Sequence, residues 1–428
     1  MVWPLRRWML SAALAGAAGC LLVTARAFDI QPSLEIAHED RKTTLTFTGT
    51  LFSADTLDGP WSAIPDAESP LVVEVAGARR FYRAGPLGTN GIFSSQSVVA
   101  IGLAGPLQAH FDLASAGMPD GIFPPVREKP YFDGTLVVPG LALPVSVRVR
   151  GNSSLQECPF PKLKFKVAQV YRPGTPFIDA HEIKIGTHCA EGGRGSIGRL
   201  RDQTAAFREV LAYEVLGQMD FIAPRVRRAR VEYHDTTPPT NANATVGWQL
   251  TREALILEDI EGVAERLGAR ALTETEISAL ETTAFDAQLA ADLQFFHALI
   301  GNWDYSLGWD GRGAWNTEVL ELTDGTGQRL VPVAGDFDLA SWVTGIARRS
   351  APRDYHPELG DIERETRYAL EQVQLRVDPA SFMAARQRFA EKRASLETQV
   401  VSARVDEEGR ANALRHVAAF YDALAAIR

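Results

Sequence analysis

The spacing of apolar residues changes period part-way along this 428-residue chain, and that change limits the folds open to it. Before Glu258 most apolar runs are short and alternate with polar residues, as half-buried strands do. Runs at 43–52, 71–75 and 79–83 come first, separated by turn-formers such as Asp58-Gly59-Pro60. The runs 135–138 and 145–149 fit a hairpin about Pro139-Gly140. Residues 163–167 alternate Lys with apolar residues, and 181–187, 229–233 and 248–257 are further strand candidates. A single helical stripe interrupts them: Ala205, Val210, Leu211, Val215 and Leu216 share one face, which predicts a helix over 201–217. Past Glu258 the helical period prevails, with 277–300 and 379–401 the longest segments and a strand-like 318–333 between them. A β-rich half followed by a helix-rich half predicts an α+β chain of two lobes, joined near Glu258, with a cleft between them. The Gly/Ser/Asn-rich stretch 85–97 predicts a linker, so a small all-β module at 28–86 precedes the main domain at 87–428.

The first residues predict a targeting segment rather than part of the fold. Arg6 and Arg7 form a basic flank, residues 8–23 are apolar, and Ala25-Arg26-Ala27 fits a small-x-small cleavage site. Residues 1–27 therefore predict a signal peptide cleaved after Ala27, and a secreted, periplasmic or cell-envelope protein with no membrane span once cleaved. Lipidation at Cys20 and a twin-arginine signal at Arg6-Arg7 are the competing forms. Of three cysteines, Cys158 and Cys189 remain after cleavage, which predicts one disulfide; a metal site that also draws on His181 and His188 is the rival. A net charge of −9 argues against a nucleic-acid partner. The cluster Arg225, Arg227, Arg228 and Arg230 reads as a solvated helix-to-strand edge.

Chemistry concentrates at 300–340. Asn302-Trp303-Asp304 follows a long amphipathic segment, Asn316 lies further on, and the apolar run Val331-Pro332-Val333-Ala334 ends in Gly335-Asp336-Phe337-Asp338. Asp336 and Asp338 share a face if the strand continues. Paired carboxylates of this kind suit Mg²⁺ with phosphate as co-ligand, which leaves Asp304 as a base for a hydroxyl proton. Asp and Asn also serve as caps and turn residues at element ends, the bland alternative. Gly193-Arg194-Gly195-Ser196-Ile197-Gly198 has the form GxGxxG, but no parallel βαβ context surrounds it, and it reads as a flexible loop. Trp303, Trp309, Trp315 and Trp342 read as packing, and His297 as a buried histidine rather than a base.

Several of these segments together resemble the spore-coat protein H family of kinase-like phosphotransferases, over about residues 136–342. Arg150-Gly151-Asn152-Ser153-Ser154 is similar to the family's RGNSS signature and is followed by Lys162, Lys164 and Lys166. Glu258 in LILED is similar to the acidic residue on the strand joining the lobes. Asn302-Trp303-Asp304 and Asp336-Phe337-Asp338 correspond to its NxD and DxD. ECPFPKLKF, IKIGTHC, FREVLAY and ALIGNWD resemble a divergent bacterial branch, and residues 52–85 resemble a small β module appended to exported bacterial proteins.

The resemblance implies a kinase-like fold, with a β-rich N-lobe and a helical C-lobe, and transfer of phosphate from ATP to a protein hydroxyl with Mg²⁺ or Mn²⁺. It implies Asp304 as base and Asn316, Asp336 and Asp338 as metal ligands. Arg150 with Lys164 or Lys184 would bind phosphate, Glu209 would orient that lysine, and Glu258 would lie at the nucleotide. Asn316 lies further from Asp304 than the family pattern has it, across a Gly-rich insertion at 308–313. The alternatives are a catalytically silent envelope protein on the same scaffold and a metal-dependent hydrolase using the same carboxylates.

Overall fold

A computed structural model describes residues 30–427 except 40–41, 66, 75–79, 117–128, 152, 192–199, 239–246, 310–312, 325–326 and 349. The expected signal peptide, Asn152 of the RGNSS signature and the GxGxxG segment thus lie outside the described residues. Helix and strand are present in similar shares, 36% and 30%, which makes the chain mixed α+β. It divides into two compact units, one of residues up to Gly186 with Arg227–Ile256, the other of Thr187–Val226 with Leu257–Arg428.

The first unit begins with six short strands. β1 (Ser33–Glu39), β2 (Lys42–Thr48) and β5 (Leu71–Glu74) form one sheet, and β3 (Thr50–Ala54), β4 (Ser62–Ala63) and β6 (Phe81–Gly85) another. Leu45, Phe47 and Leu51 fill the core they share. The expected single run over 43–52 breaks at Gly49, whose φ of +87° only glycine adopts freely. A Cβ there would meet the Gly85 carbonyl oxygen at 2.1 Å, so the chain passes between the sheets at a point no side chain could occupy.

The rest of that unit is a closed seven-stranded barrel. Its strands are β7 (Val99–Gly105), β8 (Phe132–Val138), β9 (Leu141–Arg150), β10 (Lys162–Val167), β11 (Ile183–Thr187), β12 (Val226–Asp235) and β13 (Gln249–Glu258), in the order β10-β11-β13-β12-β7-β8-β9. β7 and β12 run parallel, and β8 turns into β9 at Pro139-Gly140 as expected. Alternation decides what fills the barrel: Val147 and Val149, Leu163 and Phe165, Ile183 and Ile185, and Ala229, Val231 and Tyr233 all join one buried core. The 85–97 stretch is no free linker. Ile92 and Phe93 belong to the barrel core, and the Arg227 guanidinium donates to the carbonyls of Ile92 (2.8 Å) and Ser97 (2.7 Å). The arginine cluster is corrected with it: Arg227 and Arg228 are buried, and only Arg230 is largely exposed.

Cys158 and Cys189 form the expected disulfide. Thiols bonded to each other cannot serve as thiolate ligands, so the rival metal reading of these cysteines falls.

In the second unit the helix Ala287–Ile300 is central. Every residue from Ala290 to Ile300 is buried, the mark of a helix enclosed by others. Phe295 packs on Phe382 and Phe389 of helix Pro379–Ser402 and on Phe420 of helix Glu407–Ala426, with ring centroids 5.1, 5.4 and 6.3 Å apart. The expected continuous helix over 277–300 is divided. Helix Glu274–Ser278 ends, a 3₁₀ turn Thr282–Ala284 follows, and Asp286 caps the new helix by accepting from the Leu289 amide at 2.9 Å. Two β-branched threonines and a strong cap favour that break over continuation. Helix Thr204–Gln218 is fixed from within. Arg208, 2% exposed, forks onto the Asp406 carboxylate with its Nε 2.8 Å from Oδ1. The strand-like 318–333 is a hairpin, β17 (Thr317–Asp324) with β18 (Gly327–Ala334); short β14 (Arg270–Ala271) pairs with β17, and β15 (Ser306–Leu307) with β16 (Ala314–Trp315). Among the described residues no helix is long and apolar enough to cross a membrane.

Candidate active site

Helix Ala287–Ile300 ends at Gly301, in the left-handed conformation at φ +63°. A Cβ there would meet Ser341 and His416 at under 3 Å, so only glycine lets the chain turn this close to its neighbours. Both the amide and the hydroxyl of Ser341 donate to the Gly301 carbonyl, at 3.1 and 3.2 Å. Asn412 supports this crossing by donating to the carbonyls of Ser341 (2.8 Å) and Trp342 (3.0 Å).

Asp304 is set by the turn that follows. The buried Asn302 side chain bonds the His297 ring at 3.1 Å and accepts from the Asp304 amide at 3.0 Å. His297 is fully buried, stacked on Tyr305 at 3.5 Å, and burial pushes its pKa down to about 3. It is a neutral support, as expected.

The hairpin supplies the other ligand candidates. Asn316 immediately precedes β17, and Asp336 follows β18 by two residues. The register Thr317↔Ala334 therefore brings both to the same open end, where the Gly335 amide donates to the Asn316 carbonyl at 3.2 Å. Both residues are left-handed, at φ +48° and +56°. Two non-glycine residues held in that region side by side mark a place where backbone strain has been kept. The Asn316 side-chain amide donates to the Asp304 carbonyl at 2.7 Å, which faces its own oxygen elsewhere. The phenol oxygen of Tyr213 accepts from the Asp336 amide at 3.0 Å, and its ring lies 4.6 Å from Phe337. The expected alternation of Asp336 and Asp338 along a strand does not hold. β18 ends at Ala334, Asp336 turns left-handed, and Asp338 sits in a 3₁₀ turn, Phe337–Leu339.

Asp336 and Asp338 nevertheless both act on Asp304. Burial raises the Asp304 pKa, Asp336 and Asp338 raise it further, and Arg348 and the Trp315 indole (Nε1 3.3 Å from Oδ1) oppose them. Among the described residues no group of three or more His, Cys, Asp or Glu side chains could hold a metal ion alone. An amide oxygen and two carboxylates fit what Mg²⁺ asks of a protein when phosphate and water complete its shell.

The other expected residues are on β strands and on helix Thr204–Gln218. Register places Arg150 opposite Lys162, and Lys164 opposite both Arg148 and Lys184. Cross-strand partners share a face, so these cations stand together on the outer face of β9, β10 and β11, opposite the apolar interior. Lys164 is engaged on its own strands: its Nζ lies 2.7 Å from Glu182, which also accepts from the Tyr131 hydroxyl. Glu209 is a buried residue of helix Thr204–Gln218, beside Arg208. The Glu258 side chain is 2% exposed and taken up by Arg225 (2.8 Å) and Arg266 (2.9 Å), so it braces the end of β13. Tyr213, Arg348 and Glu182 were missed by the sequence reading, and Trp315, read there as packing, also donates to Asp304. Trp315 alone carried a signal there, adjacent to Asn316.

The chain matches no family model and no curated protein sequence.

Proposed function

We propose that this chain is an exported, kinase-like phosphotransferase related to the spore-coat protein H family, with a two-lobed fold and ATP as phosphate donor. The observation that carries the reading is the convergence of Asp304, Asn316, Asp336 and Asp338 on one end of the β17–β18 hairpin, with two of them in left-handed strain. The order of the motifs along the chain supports it, as does the disulfide, which suits an oxidising compartment.

On this reading Asp304 is the base, with its proton affinity raised by burial and by the neighbouring carboxylates. The acceptor hydroxyl oxygen bonds to the γ-phosphorus, its proton passes to an Asp304 carboxylate oxygen, and the bond from that phosphorus to the β–γ bridging oxygen breaks, releasing ADP. Asn316, Asp336 and Asp338 would hold Mg²⁺ or Mn²⁺, which supplies charge neutralisation at the phosphates. Arg150, with Lys164 or Lys184, is the candidate binder of phosphate oxygens, and Lys164 already pairs with Glu182 at 2.7 Å.

Transfer of labelled γ-phosphate to the protein itself or to an added hydroxyl-bearing protein tests the chemistry. Asp304→Ala should bind Mg·ATP like the wild type and transfer about 10²-fold more slowly or worse. Full transfer by Asp304→Ala would remove it as the base. Absence of both binding and transfer in the wild type would leave the silent-scaffold alternative.

A further inference from the structure

The segment 345–360, which follows the Asp336–Asp338 turn and the short helix Ser341–Thr344, is tied down from two sides. The Glu365 carboxylate of helix Asp361–Arg376, 4% exposed, accepts from the Ser350 amide at 2.7 Å and from the Ala351 amide at 3.1 Å. Burying a carboxylate is costly unless hydrogen bonds satisfy it, and here loop amides supply them. The second tether is aromatic. Tyr355 of the loop packs edge-on against Tyr368 at 5.3 Å, and Tyr368 stacks on Trp303 at 6.1 Å and 26°. Trp303 lies between Asn302 and Asp304, so the loop is fastened to the turn that carries the proposed base. Arg348 sits two residues before the Glu365 anchor. Its side chain is exposed, and among the described residues no hydrogen bond or ion pair holds it. The loop also begins at the end of helix Ser341–Thr344, whose Ser341 hydroxyl donates to the Gly301 carbonyl at the start of the turn that carries Asp304. An exposed arginine with no hydrogen bond or ion pair among the described residues, on a loop fixed to the reacting turn, is placed to meet an anion that arrives with substrate.

We propose that Arg348 is a further catalytic residue, whose guanidinium binds the oxygens of the phosphoryl group in transfer, with Glu365 as its positioning residue. The inference rests on the phosphotransferase reading and deepens it. A planar guanidinium suits the equatorial oxygens of that group, and charge neutralisation by arginine is a recurring device in phosphoryl transfer.

The test compares full-length wild type, Arg348→Ala, Arg348→Lys and Glu365→Gln in Mg·ATP binding, γ-phosphate transfer and thermal unfolding. Arg348→Ala should lower kcat at least tenfold, keep Mg·ATP affinity within about threefold, and change Tm little, because among the described residues its side chain makes no hydrogen bond or ion pair. Arg348→Lys should recover part of the rate. Glu365→Gln should lower kcat in the same direction while Mg·ATP affinity holds. Wild-type turnover by Arg348→Ala overturns the inference and leaves the phosphotransferase reading standing. A wild type that neither binds Mg·ATP nor transfers phosphate overturns both.

Discussion

Asp304 carries its charge at a cost to the fold. Burial and two neighbouring carboxylates raise its pKa, so the folded protein holds that proton more tightly than the unfolded chain does. Between the ordinary value of 3.8 and the raised one, the native state binds more protons, and stability falls as pH rises through that window. Asp304→Asn removes the cost, and we predict a higher Tm than wild type at pH 7 together with lost transfer. A lower Tm would mean that Asp304 is held by stabilising contacts instead. The same shift predicts an acid limb in kcat/KM above the usual carboxylate range, since a base must be ionised, and a limb at or below 3.8 would contradict it. Asn316 separates backbone from ligand roles. At φ +48°, Asn316→Ala should cost about 1–2 kcal/mol and Asn316→Gly less, yet both should weaken Mg²⁺-dependent nucleotide binding alike. Intact binding in either variant would exclude the amide as a ligand.

Elements with strong local signals were legible before any coordinates. The β8–β9 hairpin followed from Pro139-Gly140 between alternating runs, and helix Pro379–Ser402 from its period. The carboxylate motifs were legible too, because an apolar strand ending in Asp-x-Asp is local. What escaped was set by distance in the chain. Tyr213 reaches Asp336 across 123 residues and Arg208 reaches Asp406 across 198, and no window of sequence holds both partners. Closure of the barrel depends on the parallel pairing of β7 with β12, which strand-by-strand alternation leaves open. The left-handed turn at Asp336 also overrode an alternation that would have continued β18. Between the elements, Cys158 and Cys189 close a loop whose cross-link should contribute about 3–4 kcal/mol by restricting the unfolded chain. Peptide mapping without reductant should recover the Cys158–Cys189 pair, and recovery of two free thiols from protein made in an oxidising compartment would refute it.

At the scale of the whole molecule, the proposed roles divide by unit. The first unit contributes the cationic outer face of β9, β10 and β11, and the second contributes Asp304 and the hairpin end. The central claim belongs to the second unit: Asp336 holds the cation that a nucleotide's phosphates bring with them. Calorimetric titration of Mg·ATP into full-length wild type and Asp336→Ala tests this most directly. The account predicts saturable binding by the wild type that vanishes with EDTA, and binding weakened at least tenfold in Asp336→Ala, because metal and phosphates bind as one charge-balanced unit. No wild-type binding at millimolar Mg·ATP, or equal binding by Asp336→Ala, would contradict it.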